Sequence, residues 1–116
     1  MVLNYEEINN CDGFLYYFNG KCYTLKKDNI IIGLAKCIED GTSIYISQIE
    51  IITQYQGLGY GKIFFNLLKE YFFNAEEFYG IATEDSYEFW EAMGCSWSYS
   101  DGFDISLDEN EFSIKL

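Results

Sequence analysis

Ile49-Glu50-Ile51-Ile52-Thr53-Gln54-Tyr55-Gln56-Gly57-Leu58-Gly59-Tyr60-Gly61-Lys62 is the stretch on which the reading of this chain turns. The β-branched run predicts a strand, the glycines a turn, and the residues after them a helix. Such a turn leaves several backbone N–H groups unpaired and aims them at one point. With the positive end of the helix dipole they form a site for a phosphate or pyrophosphate. The sequence therefore predicts binding of a phosphorylated cofactor.

Spacing separates the glycine-loop types. A Walker A loop has four residues between its first Gly and the Gly-Lys, then Ser or Thr. Here three residues separate Gly57 from Gly61, and Ile63 follows Lys62, so no hydroxyl is offered to magnesium. A dinucleotide fingerprint needs Gly-x-Gly-x-x-Gly. Counting from Gly57 puts Lys62 at its third position, and counting from Gly59 puts Phe64 there. The pattern that fits is Gln/Arg-x-x-Gly-x-Gly/Ala, filled by Gln56, Gly59 and Gly61.

With its flanking strand and helix, this segment resembles motif A of the GNAT (acyl-CoA N-acyltransferase) superfamily, with Gln56 in place of the usual arginine. Phe89-Trp90-Glu91-Ala92-Met93-Gly94-Cys95 is similar to the later helix of that family, which ends in aromatic-Tyr-Glu-x-x-Gly-Phe. The two motifs stand in the family's order, and the resemblance covers residues 14–116. It implies a mixed α/β (α+β) domain over residues 1–116. Its expected core is a mostly antiparallel sheet with a strand–Gly-loop–helix acetyl-CoA site.

Composition bounds the chemistry. At 116 residues the chain is one small domain, and 49% hydrophobic with 20% aromatic content supplies a real core. There is no histidine, which excludes a Ser-His-Asp triad, a Cys-His pair and histidine metal ligation. All basic residues are lysine, so an anion must be held by backbone N–H and lysine rather than a guanidinium fork. Cys11, Cys22, Cys37 and Cys95 lack C-x-x-C spacing and read as small buried hydrophobes; no metal is expected. The net charge of −12 argues against nucleic acid and favours a cationic acceptor, a polyamine or a lysine-rich segment, unless it serves solubility alone. No apolar run approaches a membrane span, and Met1–Glu7 lacks the regions of a signal peptide, so a cytoplasmic protein is expected.

Along the chain, Phe14–Phe18, Asn19-Gly20 and Lys21–Leu25 read as a hairpin, and Asp28-Asn29 as a second tight turn. Strands are predicted over Ile30–Ile38 and Ser43–Ile52. Ile63, Phe64, Leu67, Leu68, Tyr71 and Phe72 then form a helical stripe. Phe78–Ala82 is a short strand. Thr83 is placed to N-cap a helix ending near Gly94, and Ser96–Ser100 and Glu111–Lys115 are the last strands. The acidic stretch 101–111 reads as a solvated turn. A tight Asn19-Gly20 hairpin leaves no room for the two helices that family members carry after the first strand. The acceptor groove is therefore expected to be open, suited to a peptide or protein acceptor or to completion by a second subunit. An open edge near Phe14–Phe18 makes a homodimer an expectation.

The resemblance also implies roles. Backbone groups of Ile49 and Ile51 pair with the pantetheine arm. N–H groups of Gln56, Gly57, Leu58, Gly59, Tyr60 and Gly61 hold the pyrophosphate, assisted by Lys62. Thr83 stands where the family often has a pantetheine-binding Asn. The reaction implied is direct attack of a primary amine, on a small molecule or a protein, upon acetyl-CoA. Gln48 occupies the position of a frequent acidic residue, and Trp90 that of the usual acid tyrosine. Glu50 and Tyr87 are the proton-transfer candidates. Two rivals stay open: a non-catalytic GNAT-fold module that binds CoA or a partner protein, and a nucleotide-binding regulatory domain.

Overall fold

The computed structural model describes residues 2–7, 21–28 and 30–116. Its elements run β1 (Val2–Glu7), β2 (Lys21–Lys27), β3 (Ile30–Asp40), β4 (Ser43–Ile51), α1 (Tyr60–Tyr71), β5 (Glu77–Ala82), α2 (Tyr87–Ala92), β6 (Ser96–Trp97) and β7 (Asn110–Lys115). The strands form one seven-stranded sheet in the order β1-β2-β3-β4-β5-β7-β6. Every pairing is antiparallel except β4 with β5. Two-residue turns make the meander: Lys27 pairs with Ile30 around Asp28, at φ +52°, and Asp40 pairs with Ser43 around Gly41, at φ +62°. Positive φ matches the turn to the right-handed twist of a hairpin.

β2 is paired on one side by β1 and on the other by β3, so both its edges are taken. Among the described residues its partners are Val2–Glu7 and Ile30–Asp40. Phe14–Phe18, Asn19-Gly20 and Cys11 lie outside the described residues, as does the connection that bears on the two family helices.

The core lies between one face of the sheet and α1. Phe64, Phe65 and Leu68 are fully buried and Phe72 nearly so, while Ile63 and Tyr71 stay largely exposed. The buried stripe is thus rotated from the one predicted, and takes in Phe65. Phe65 meets Phe78 and Trp90 edge-on, at 5.2 and 5.6 Å between ring centroids, an arrangement that aromatic quadrupoles favour. A Cβ on Gly33 would sit 2.9 Å from Ile51 Cδ1 and 3.1 Å from the Phe64 ring, so glycine there admits the helix onto the sheet. Cys22 and Cys37 are buried, as small hydrophobes are. Burial pushes the Cys37 thiol up to about 12 and the Cys95 thiol up to about 11, away from nucleophilic use. Among the described residues no helix is long and apolar enough to cross a membrane.

Candidate active site

Strands β4 and β5 run side by side only from Ser43 opposite Glu77 to Ile46 opposite Gly80. Two local features end the pairing there. Opposite β3, Cys37 pairs with Ile46 and Lys36 with Gln48, which leaves Ser47 as a bulge that bends β4. Gly80 is the last close point: a Cβ on it would lie 2.7 Å from the Ile46 carbonyl oxygen and 3.0 Å from the Phe112 ring. Beyond it the strands splay, β4 held by β3 and β5 held by β7. Their facing edges carry main-chain groups with no strand partner.

The splay opens a cleft of about 770 Å³. β4 contributes Ile49, Glu50 and Ile51; the loop contributes Gln56, Gly57 and Gly61; the far wall is Thr83, Asp85, Ser86 and Phe89. The Ser47 bulge also resets the side-chain alternation. Ile49 and Ile51 pair with Ala35 and Gly33, on the face that carries α1, and Gln48 and Glu50 project from the other face.

The loop is built to leave donors free. Gln56 turns back, its Nε2 donating to the Ile51 carbonyl at 2.8 Å, so the side chain secures the strand end. Gly57 and Gly59 adopt φ +77° and +87°, where an L side chain is strained. The first bond of α1 runs from the Ile63 N–H to the Gly59 carbonyl, at 3.3 Å. Among the described residues the N–H groups of Gly57, Leu58, Gly59, Tyr60, Gly61 and Lys62 make no main-chain hydrogen bond outside α1. The helix has no side-chain cap and no acidic residue in its first turn, where Lys62 stands exposed. An uncapped helix end without a carboxylate of its own, reached by a lysine, is suited to an outside anion. Gly61 serves packing instead, since a Cβ there would lie 3.0 Å from the Phe89 ring of α2.

Lys27 of β2 reaches the start of α1, with its ammonium 5.7 Å from the centroid of the Tyr60 ring. A hydrogen bond with the Tyr60 side chain is the main cause that holds its pKa above the usual lysine value. No local pattern betrays Lys27, because its proximity to Tyr60 joins two segments far apart in the chain. Phe89 and Asp85 enter the cleft from the segment after β5, and no local pattern marks them as lining residues.

The proton-transfer candidates part company. Glu50 lines the cleft and accepts a hydrogen bond from Gln48 Nε2 at 2.8 Å. Tyr87 faces away: its ring stacks on Phe103 at 4.5 Å and 15°, and its hydroxyl donates to Glu88 Oε1 at 3.3 Å. The charge of Glu88 and that hydrogen bond raise the Tyr87 pKa. Trp90 is core, 3% exposed and stacked on Phe112 at 4.0 Å. Thr83 lines the cleft but does not cap as predicted. The helix begins at Tyr87, and Ser86 Oγ reaches back to accept the Thr83 N–H at 3.0 Å.

Residues 3–95 match the profile of the Acetyltransferase (GNAT) family. No curated protein matches the sequence. Among solved structures, the PaiA N-acetyltransferase from Thermoplasma acidophilum in complex with coenzyme A superposes with a TM-score of 0.70 at 12% identity, covering 82% of this chain and 60% of that one. The IAA acetyltransferase from Bacillus cereus gives 0.65 at 15% identity, over 84% of this chain and 78% of the other. A GNAT family acetyltransferase from Elizabethkingia anophelis with acetyl-CoA bound gives 0.66 at 15%, over 84% and 76%. At these identities the likeness speaks for the fold, a mixed α/β, mostly antiparallel sheet.

Proposed function

The chain belongs to the GNAT acetyltransferase family, and from that premise we propose that it transfers acetyl from acetyl-CoA to a primary amine in the β4/β5 cleft. The observation that carries this reading is the glycine loop beside the cleft: Gln56, Gly57 and Gly61 line it, α1 has no side-chain cap, and the N–H groups from Gly57 to Lys62 make no main-chain hydrogen bond outside α1. Those groups and the Lys62 ammonium hold the pyrophosphate. The free edge of β4 at Ile49 and Ile51 pairs with the pantetheine arm, and Thr83 meets it from the other wall. Acetyl-CoA supplies an acyl carbon activated by a thiolate leaving group.

An alkylammonium has a pKa near 10.4, so freeing its lone pair at neutral pH costs about 4–5 kcal/mol. Glu50 receives that proton, directly or through one water, and Gln48 fixes the carboxylate while it does so. The amine nitrogen then bonds to the acetyl carbon, the C–S bond breaks with its electron pair on sulfur, and the second nitrogen proton passes to the thiolate. Tyr87 is left out of this scheme because its hydroxyl is engaged with Glu88.

A non-catalytic CoA-binding module is the second reading. It is favoured by Trp90, whose buried indole stands where the family's tyrosine acid would be. One experiment separates the two: calorimetric titration of acetyl-CoA, followed by thiol release with a panel of amines. Binding with thiol release supports transfer. Binding without release supports the module. No binding overturns both.

A further inference from the structure

A second groove, of about 540 Å³, adjoins the cleft on the β7 side. Thr83 and Asp85 line both, so the two share a wall. Its floor is apolar, made by Ile81, Phe103 and Leu107, and its rim carries Glu84, Asp85 and Asp108. Ile81 and Leu107 are 41% and 37% exposed, more than a packed position would show. The wall is ordered. Phe103 is stacked on Tyr87, and Asn110, 5% exposed, bonds both the N–H and the carbonyl of Asp104 at 2.8 and 2.9 Å. The acidic stretch is exposed and turn-like over residues 105–109, as the sequence predicts, and it also forms one side of the groove.

We propose that this groove binds a linear aliphatic polycation and presents one of its amines to the cleft, an inference that rests on the acetyl-transfer reading for its chemistry. Every charged residue between Thr83 and Ile114 is acidic, so the charge complementarity is with a cation. The alternation of apolar floor and carboxylate rim suits methylene segments between ammonium groups. A peptide is the poorer fit. Ile81 and Ala82 are already paired with Glu111 and Asn110 of β7, so on this side β5 has no free edge for a peptide backbone. The amine in the cleft takes the acetyl group as described above, and the distal ammonium stays bound to the rim.

The test uses spermidine and n-butylamine as probes, with the full-length protein and its Glu84→Gln/Asp108→Asn variant. Circular dichroism and unchanged acetyl-CoA affinity verify the variant's fold. The expected result is a kcat/KM for spermidine about tenfold above that for butylamine, carried by KM, with the preference lost in the variant and in high salt. Equal use of both amines, a preference that survives in the variant, or a lysine peptide favoured over spermidine overturns the proposal. Calorimetric titration of spermidine separates the two readings. Salt-sensitive binding that the variant loses, with no thiol release from any amine, supports the groove and sinks the transfer reading. Absence of spermidine binding overturns the groove whatever the transfer assay shows.

Discussion

The side-chain amide of Gln56 donates to the main-chain carbonyl of Ile51 at 2.8 Å, joining the glycine loop to the end of the strand that lines the cleft. An arginine in this place would project a charge toward an anion. Gln56 instead fixes the angle at which β4 enters the loop, so the N–H groups of Gly57 to Lys62 start from a defined position. Gln56→Ala should cost about 0.5–1.5 kcal/mol of stability, the usual worth of one such bond, and lower acetyl-CoA affinity by loosening the loop. A thermal melt checks the first and isothermal titration the second.

Gly59 and Gly61 sit two residues apart but should fail differently. A Cβ on Gly59 meets nothing within 4 Å, yet φ is +87°, so Gly59→Ala costs about 1–2 kcal/mol of backbone strain. That strain is relieved by turning the loop, which misaligns the donors. Gly61→Ala keeps an ordinary φ and instead presses on Phe89, displacing α2. Cofactor affinity should fall more for Gly59→Ala than stability does, and amide exchange in α2 should rise only for Gly61→Ala.

Glu50→Gln keeps the hydrogen-bonding shape beside Gln48 and removes the base. The expected loss in kcat is about 10²-fold or more, with acetyl-CoA affinity intact. Rates should recover in part at high pH, where the amine arrives unprotonated. A pH profile that matches the wild type would remove Glu50 from the mechanism.

Trp90→Tyr places the family's tyrosine in this chain, but the position is under Phe112 and out of the cleft lining. No gain in kcat is expected. Trp90→Ala should cost about 3–5 kcal/mol through the cavity it leaves, read by chemical denaturation.

Glu77 accepts from Ser113 Oγ at 2.6 Å and Ser43 Oγ at 3.2 Å and is ion-paired with Lys115. The Lys115 bond is the largest cause that lowers its pKa. A depressed carboxylate adds stability that is present above its unfolded pKa and lost as pH falls through the folded one. Glu77→Gln should therefore be destabilising at pH 7, and its melting temperature should converge on that of the wild type in acid. A gap that stays constant with pH would contradict this linkage.

The local order of this chain was legible because it rests on short-range rules. The β-branched run, the glycine spacing and the change of period after Tyr60 named the strand, loop and helix at Gly57–Lys62. β3, β4, β5 and α1 lie within one or two residues of where those rules put them. What pairs with what was not legible. β2 takes Val2–Glu7 as its neighbour, and no local propensity encodes a partner that distant. The cleft itself was decided by tertiary structure, through one extra residue at Ser47 and the close approach at Gly80. Composition showed that the chain is acidic, but only the fold set Asp85 and Asp108 beside Ile81 and Leu107. Motif spacing reports backbone conformation a few residues at a time. A side chain's direction into a cleft, such as Tyr87 turning to Phe103, depends on packing between segments far apart in the chain.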